Sequence, residues 1–304
     1  MHKCPVLFLI FNRPETTFEV FAAIRQYQPQ KLYIGADGPR KNNISDTERC
    51  NAVRKITELI DWQCEVHTLF QSENLGCRYA PSTAITWFFE QEEKGIILED
   101  DCLPSPDFFR FCENMLEHYA NDEQVMHIGG TNFQDGIKRG NGDYYFSDIP
   151  HIWGWATWRR AWQYYDVEMT DFPNYLASGK NALRIPFSSY YRWRTLVFFR
   201  ETWKKSKWFV TWDCQWHYTL AKRNAKAIIP NYNMISNIGG TGTHKVDTLL
   251  CRKEFQILPE KILPPDNSNI DPAAELYTYR KCFKGSWKDR IKFCFYLLLG
   301  GDKK

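Results

Sequence analysis

Over residues 5–130 short apolar runs alternate with helix-patterned stretches, and this alternation narrows the possible architectures of the 304-residue chain to very few. Residues 5–11 are apolar throughout, as a strand buried on both faces requires. Pro14 then sits just inside a helix start, with Phe18, Phe21, Ala22 and Ile24 at helical spacing. Lys31–Ala36 is a second strand, ending in the turn Asp37-Gly38-Pro39. Glu65–Phe70, residues 95–98 and residues 125–128 read as further strands. Helices are expected from about residue 45, over 81–90 and over 106–119.

Strand–helix repetition with short connections calls for an α/β fold, a mostly parallel sheet covered by helices on both faces. Ligands then bind beyond the carboxyl ends of the strands. After Gly130 the rhythm is lost to turn-rich, aromatic-rich sequence. Helices are expected over 190–204 and 213–224, and irregular loop over 230–275. The expected organisation is a ligand-binding α/β half (1–130), a second half of the same domain (131–279) and a basic tail (280–304).

With 43% hydrophobic and 16% aromatic residues the chain has ample apolar surface to fold, which excludes a disordered protein. The formal charge of +3 conceals a tail of +6 over residues 280–304, set against a body of −3. Residues 178–210 are also basic, with eight Lys/Arg and one acid. Nothing interleaves aromatics with a basic stripe in the way a nucleic-acid reader would. The 10 cysteines contain no C-x-x-C pair, so they are expected to pack as reduced, small apolar groups. Residues 1–5 lack the apolar core of a secretory leader, and the apolar run 293–299 is far short of the ~20 residues that span a bilayer. A cytoplasmic protein is expected, with the basic tail suited to peripheral contact with an anionic membrane.

The strongest chemical signal is Glu99-Asp100-Asp101, directly after the strand at 95–98. Adjacent carboxylates repel one another unless they are solvated or share a cation. In continued extended backbone Glu99 and Asp101 share one face and Asp100 takes the other. A solvated acidic turn or a helix cap is the alternative. Two other strand ends reach the same edge: Asn12-Arg13-Pro14 offers a guanidinium and a helix N-terminus to a diphosphate, and Asp37 can accept from a base or ribose. No G-x-G-x-x-G or G-x-x-x-x-G-K-[ST] follows any strand, which argues against a dinucleotide fold or a P-loop.

Phe11-Asn12-Arg13, Asp37, Ile96-Ile97-Leu98-Glu99-Asp100-Asp101 and Pro106-Asp107-Phe108-Phe109 resemble the GT-A glycosyltransferases. Within these the chain resembles the N-acetylglucosaminyltransferase I family and bacterial nucleotide-diphospho-sugar transferases. The likeness continues through Trp153-Gly154-Trp155-Ala156-Thr157-Trp158, Trp212-Asp213 and Ile229-Pro230, and covers most of residues 5–245. It implies a GT-A fold, a UDP-sugar donor, Mn2+ or Mg2+, and transfer with inversion to a glycan or lipid-linked acceptor, in bacterial surface polysaccharide synthesis. By the same likeness Asp101 would ligate the metal, and Glu99 and Asp100 would hold sugar and ribose hydroxyls. Arg13 would meet the diphosphate and Asp37 the uracil, with Arg78 near a further uracil contact. Asp213 would be the catalytic base, and His244 a late metal ligand.

The residue types suit that chemistry. A divalent cation neutralises a departing diphosphate, and one carboxylate must take the proton of the attacking hydroxyl. Asp213 lies among Trp208, Phe209, Trp212 and Trp216, although it can also serve as a cap for the helix at 214. Trp155, Trp158 and Trp162 follow helical spacing and read as packing, which leaves Trp153 as the sugar contact. His217 and His244 are alternatively ordinary loop histidines. The rivals are a sugar-nucleotide nucleotidyltransferase, a metal-dependent phosphohydrolase or nuclease, and a silent glycan-binding module. The glycosyltransferase reading also expects the three acids to face a cleft with Arg13 and Asp37 and not to be spent in salt links.

Overall fold

The computed structural model describes residues 3–178, 189–205, 211–240, 253–283 and 285–298. Its first half follows the expected alternation: β1 (Val6–Ile10), α1 (Pro14–Tyr27), β2 (Lys31–Ala36), α2 (Ile44–Arg54), β3 (Glu65–Phe70), α3 (Gly76–Gln91), β4 (Lys94–Glu99), β5 (Cys102–Pro104), α4 (Pro106–His118) and β6 (Val125–Gly129). The second half adds β7 (Tyr144–Ser147), β8 (Trp155–Trp158), α5 (Arg159–Trp162), α6 (Phe172–Ala177), α7 (Ser189–Trp203), α8 (Asp213–Arg223), β9 (Lys226–Pro230), β10 (Ile235–Asn237), α9 (Pro272–Cys282) and α10 (Trp287–Leu298).

Eight strands form one sheet in the order β3-β2-β1-β4-β8-β6-β9-β7. Six run the same way, while β8 and the edge strand β7 run against them. Strand β1 pairs with β2 on one side and β4 on the other, Ile10 beside Ala36 and Leu9 beside Glu99. The strand order therefore reverses at β1, and a crevice opens beyond the ends of β1 and β4. Strands β5 and β10 make a separate two-stranded ladder just past that crevice.

Successive β1 side chains point to opposite faces, and both faces are buried. Val6, Phe8 and Ile10 pack with Val20, Phe21 and Ile24 of α1 and Phe108 of α4. Leu7 and Leu9 pack with Ala84, Ile85 and Phe88 of α3, in a cluster that runs on to Trp155, Trp162, Trp212 and Trp216. A third cluster under α6–α9 joins Phe172, Phe199, Tyr218 and Tyr279.

Three expectations are corrected. Helix α3 starts at Gly76, so that Pro81 lies inside it. Trp155 and Trp158 belong to strand β8, and only Trp162 is helical, although all three are core as expected. A strand buried on both faces has no polar alternation, so its tryptophans mimic a helical stripe. Residues 230–275 also contain β10 and the start of α9. Nine cysteines among the described residues are free thiols, and no described helix is long and apolar enough to cross a membrane.

Candidate functional site

The reversal at β1 delivers Arg13, at the N-cap of α1, and Asp100 and Asp101, in the turn after β4, to the same place. The strand does not continue past Glu99, so the expected alternation of the three acids between faces is replaced by a turn. Arg13 Nη2 donates to Asp100 Oδ1, and Arg13 Nη1 donates to Asp101 Oδ2 at 2.7 Å. The Phe11 N–H also donates to Asp100 Oδ2 (3.3 Å), which fixes the carboxylate beneath the end of β1. The expectation that the acids are free of salt links is thus overturned for Asp100 and Asp101. Their partner is the arginine of the cleft itself, drawn in because two like charges in one turn need a cation between them.

The pairing leaves capacity on both sides. A guanidinium carries five N–H donors, of which the aspartates take two. Among the described residues Asp101 Oδ1 meets only the weak Cys102 thiol donor, at 3.4 Å. The Glu99 carboxylate is half-buried and has no hydrogen-bond partner among the described residues. Burial, then the charges of Asp101 and Asp100, push Glu99 up to about 8. Asp100 is pushed up to about 6 by burial, against the pull of Arg13. Three carboxylates facing one guanidinium are short of positive charge, and that donor set suits a hard divalent cation. Among the described residues, however, no group of three or more His, Cys, Asp or Glu side chains is arranged to hold a metal by itself.

Glycine is required beside this cluster. A Cβ at Gly239, just past β10, would lie 2.5 Å from Asp101 Oδ2 and 3.1 Å from Arg13 Nη1. We expect Gly239→Ala to push Asp101 off Arg13 at a cost of about 1–3 kcal/mol, the usual range for overpacking. Denaturant titration of the variant would measure it, and an unchanged midpoint would remove Gly239 from the site.

Arg13, Glu99 and Asp100 line a cleft of about 220 Å3 together with Asp37, Arg40, Gln71, Asn74, Cys77 and the ends of β1–β3. Asp37 is buried and accepts from the N–H groups of Gly38, Leu75 and Gly76 and from Asn74 Nδ2, at 2.8–3.0 Å. Burial raises its carboxyl, and those N–H groups oppose the shift. Asp37 thus ties β2 to the start of α3. Arg78 turns elsewhere, giving Nη1 to the Thr202 carbonyl (3.0 Å) and Nη2 to the Val167 carbonyl (2.6 Å), and it is not among the described residues that line the cleft. His244 lies outside the described residues.

Asp213 is the first residue of α8, with Trp212 at the N-cap, so Asp213 does not occupy the capping position. Its Oδ1 is buried without a hydrogen-bond partner among the described residues. Its charge acts on both Glu99 and Cys77 of the cleft. Of the neighbouring indoles, Trp212 stacks on Trp155 (5.5 Å, 20°) and Trp216 packs on the same ring, both in the core. Trp208 and Phe209 lie outside the described residues. Asp213 also lines a second cavity, of about 200 Å3, with Trp153, His151 and His217. The sequence reading missed His151, Cys77, Arg40 and Asn74, none of which sits in a recognisable pattern. Only the turn residues after β2 and β3 could have pointed to the last two.

Neither a known protein family nor a curated protein sequence matches the chain. Among solved structures it is similar to a mannosyltransferase from Pyrobaculum calidifontis in complex with GDP-Man and Mn2+ (13% identity, 73% of this chain and 74% of that one, TM-score 0.39). It is also similar to a UTP-bound UGPase from Acinetobacter baumannii (10%, 78% and 89%, 0.37) and to a UDP-glucose pyrophosphorylase complexed with UDP-glucose (14%, 78% and 94%, 0.39).

Proposed function

We propose that the chain is a metal-dependent inverting glycosyltransferase of the GT-A type, moving a sugar from a UDP-sugar to a hydroxyl of a glycan or lipid-linked acceptor. The observation that carries this reading is the pairing of two features. An acid-rich cleft at the strand reversal is lined by Arg13 and Arg40, and Asp213, whose charge acts on Glu99 of that cleft, has a buried Oδ1 with no partner among the described residues. A sugar nucleotide laid along the cleft would place its nucleoside toward Asp37, Arg40 and Asn74. Arg13, with donors to spare, would hold the diphosphate. Asp101, whose Oδ1 is engaged by the weak Cys102 thiol donor, and Glu99 are the residues that would hold Mn2+ or Mg2+. Two carboxylates suffice, because such ions complete their shells with phosphate oxygens and water. When bound, the cation supplies charge neutralisation of the departing diphosphate. Asp213 accepts the proton of the acceptor hydroxyl on the opposite side of the ring. Its indole surroundings keep water from competing for the sugar.

The test is Asp101→Asn. We expect the variant to lose the rise in melting temperature that UDP and Mn2+ together give the wild type. A rise equal to that of the wild type would remove Asp101 from the site. Release of pyrophosphate from UTP and a sugar 1-phosphate would instead assign the chain to the nucleotidyltransferases, and a product of retained anomeric configuration would reject inversion.

The same proposal places the enzyme at an anionic membrane surface. On α10, Trp287, Ile291, Phe295 and Leu298 are exposed at i, i+4, i+8 and i+11, one face of the helix. Phe293 packs back on Tyr190 of α7 (5.4 Å), and Lys288, Arg290 and Lys292 supply positive charge. Deleting residues 286–304 is expected to abolish sedimentation with phosphatidylserine vesicles while leaving UDP affinity unchanged. Undiminished sedimentation would exclude the helix as the anchor.

A further inference from the structure

We propose that the second cavity is the acceptor subsite and that it selects an uncharged sugar residue, presenting hydrogen-bond acceptors to its hydroxyls. The proposal rests on the glycosyl-transfer reading above and names the acceptor that this reading leaves open. Three buried polar atoms of residues lining one cavity have no hydrogen-bond partner among the described residues: His151 Nε2, His217 Nε2 and Asp213 Oδ1. The two histidines are 2% and 4% exposed. Unsatisfied buried polar atoms are scarce in folded proteins, and three around a single cavity mark a place where a ligand supplies the missing partners.

The tautomer of His151 fixes which partner is missing. Its Nδ1 lies 2.7 Å from the Thr131 carbonyl, which can only accept, so Nδ1 carries the proton. Burial holds the ring neutral, its pKa lowered to about 4. His151 Nε2 therefore offers a lone pair, and Asp213 Oδ1 is an acceptor as well. Both call for O–H donors from the ligand. No lysine or arginine is among the described residues lining the cavity, and Lys253, which lies over the Phe133 ring at 5.5 Å, is paired with Asp135, so a phosphate or a uronate would enter opposite the Asp213 carboxylate without a free cation in the described lining.

The remaining lining is mostly apolar and includes aromatic rings. Phe133 and Trp153 meet edge to face at 5.4 Å, and Phe283 lies 6.5 Å from the His217 ring. A ring with hydroxyls on its rim and C–H groups on its face matches both kinds of wall. Asp213 lines this cavity, and its charge also acts on Glu99 and Cys77, which line the donor cleft.

The experiment uses the full chain with UDP and Mn2+. Methyl hexopyranosides, methyl glucuronide and glucose 6-phosphate serve as probes, and saturation-transfer NMR is the readout. At least one neutral methyl hexopyranoside is expected to bind, and the two anionic sugars to bind at least about tenfold more weakly. His151→Phe should weaken the neutral probe about tenfold through loss of one hydrogen bond, with UDP affinity unchanged. His151→Gln, which keeps an acceptor, should recover most of it. Equal or tighter binding of the anionic sugars would overturn the proposal. So would unweakened binding in His151→Phe, or normal UDP binding with no response to any neutral probe. Failure of wild-type UDP binding would instead strike the donor reading, which separates the two.

Discussion

Asp213→Asn is expected to bind UDP with wild-type affinity and to transfer sugar ~10²–10⁴-fold more slowly, the usual contribution of a positioned general base. The substitution keeps the shape of the side chain and removes only its capacity to take a proton. The capping position of α8 is Trp212 and is untouched by the substitution. Stability should therefore hold, and an amide oxygen in place of Oδ1 still accepts from an acceptor hydroxyl. The effect should fall on kcat and not on the KM for the donor. A loss confined to donor KM, or a transfer rate near that of the wild type, would make Asp213 a structural residue.

Arg13→Ala should have the second large effect, on stability as well as on binding. Asp100 and Asp101 have side chains only 4% and 15% exposed, and Arg13 is the cation bonded to both. Without the guanidinium two neighbouring carboxylates, with Glu99 beside them, are left uncompensated. Breaking a buried ion pair from one side costs ~3–5 kcal/mol. The predicted loss lies near the lower figure, because Arg13 is itself 26% exposed. Mn2+ should restore more stability to this variant than it gives the wild type, since the ion then replaces the missing charge, and UDP should bind more weakly. Denaturant unfolding with and without Mn2+ measures both effects. A loss below about 1 kcal/mol would mean that the acids do not depend on Arg13.

The parts of this arrangement that were legible in the sequence are those set by local pattern. The apolar run of β1, Pro14 opening α1 and the acids after β4 are each visible in a few consecutive residues. Together with the rule that strand order reverses somewhere in such a sheet, they place Arg13 near Glu99-Asp100-Asp101. What was not legible depends on partners far along the chain. The start of α3 at Gly76 is held by Asp37, 39 residues earlier, which no helix-start signal around 81 could show. Strand β8 is buried between β4 and β6, and burial on both faces erases the alternation that marks a strand. The direction of Arg78 is set by carbonyls at Val167 and Thr202, in the half of the chain where no rhythm was read. The role of His151 follows from a tautomer fixed by the Thr131 carbonyl, 20 residues away.

The account turns on whether the cleft beside Arg13 takes a nucleoside diphosphate through a divalent ion. Calorimetric titration of UDP into the full chain, once with Mn2+ and once with EDTA, tests this most directly. The account predicts saturable heat with Mn2+ and none measurable with EDTA. Equal affinity in both titrations, or no binding in either, would contradict it.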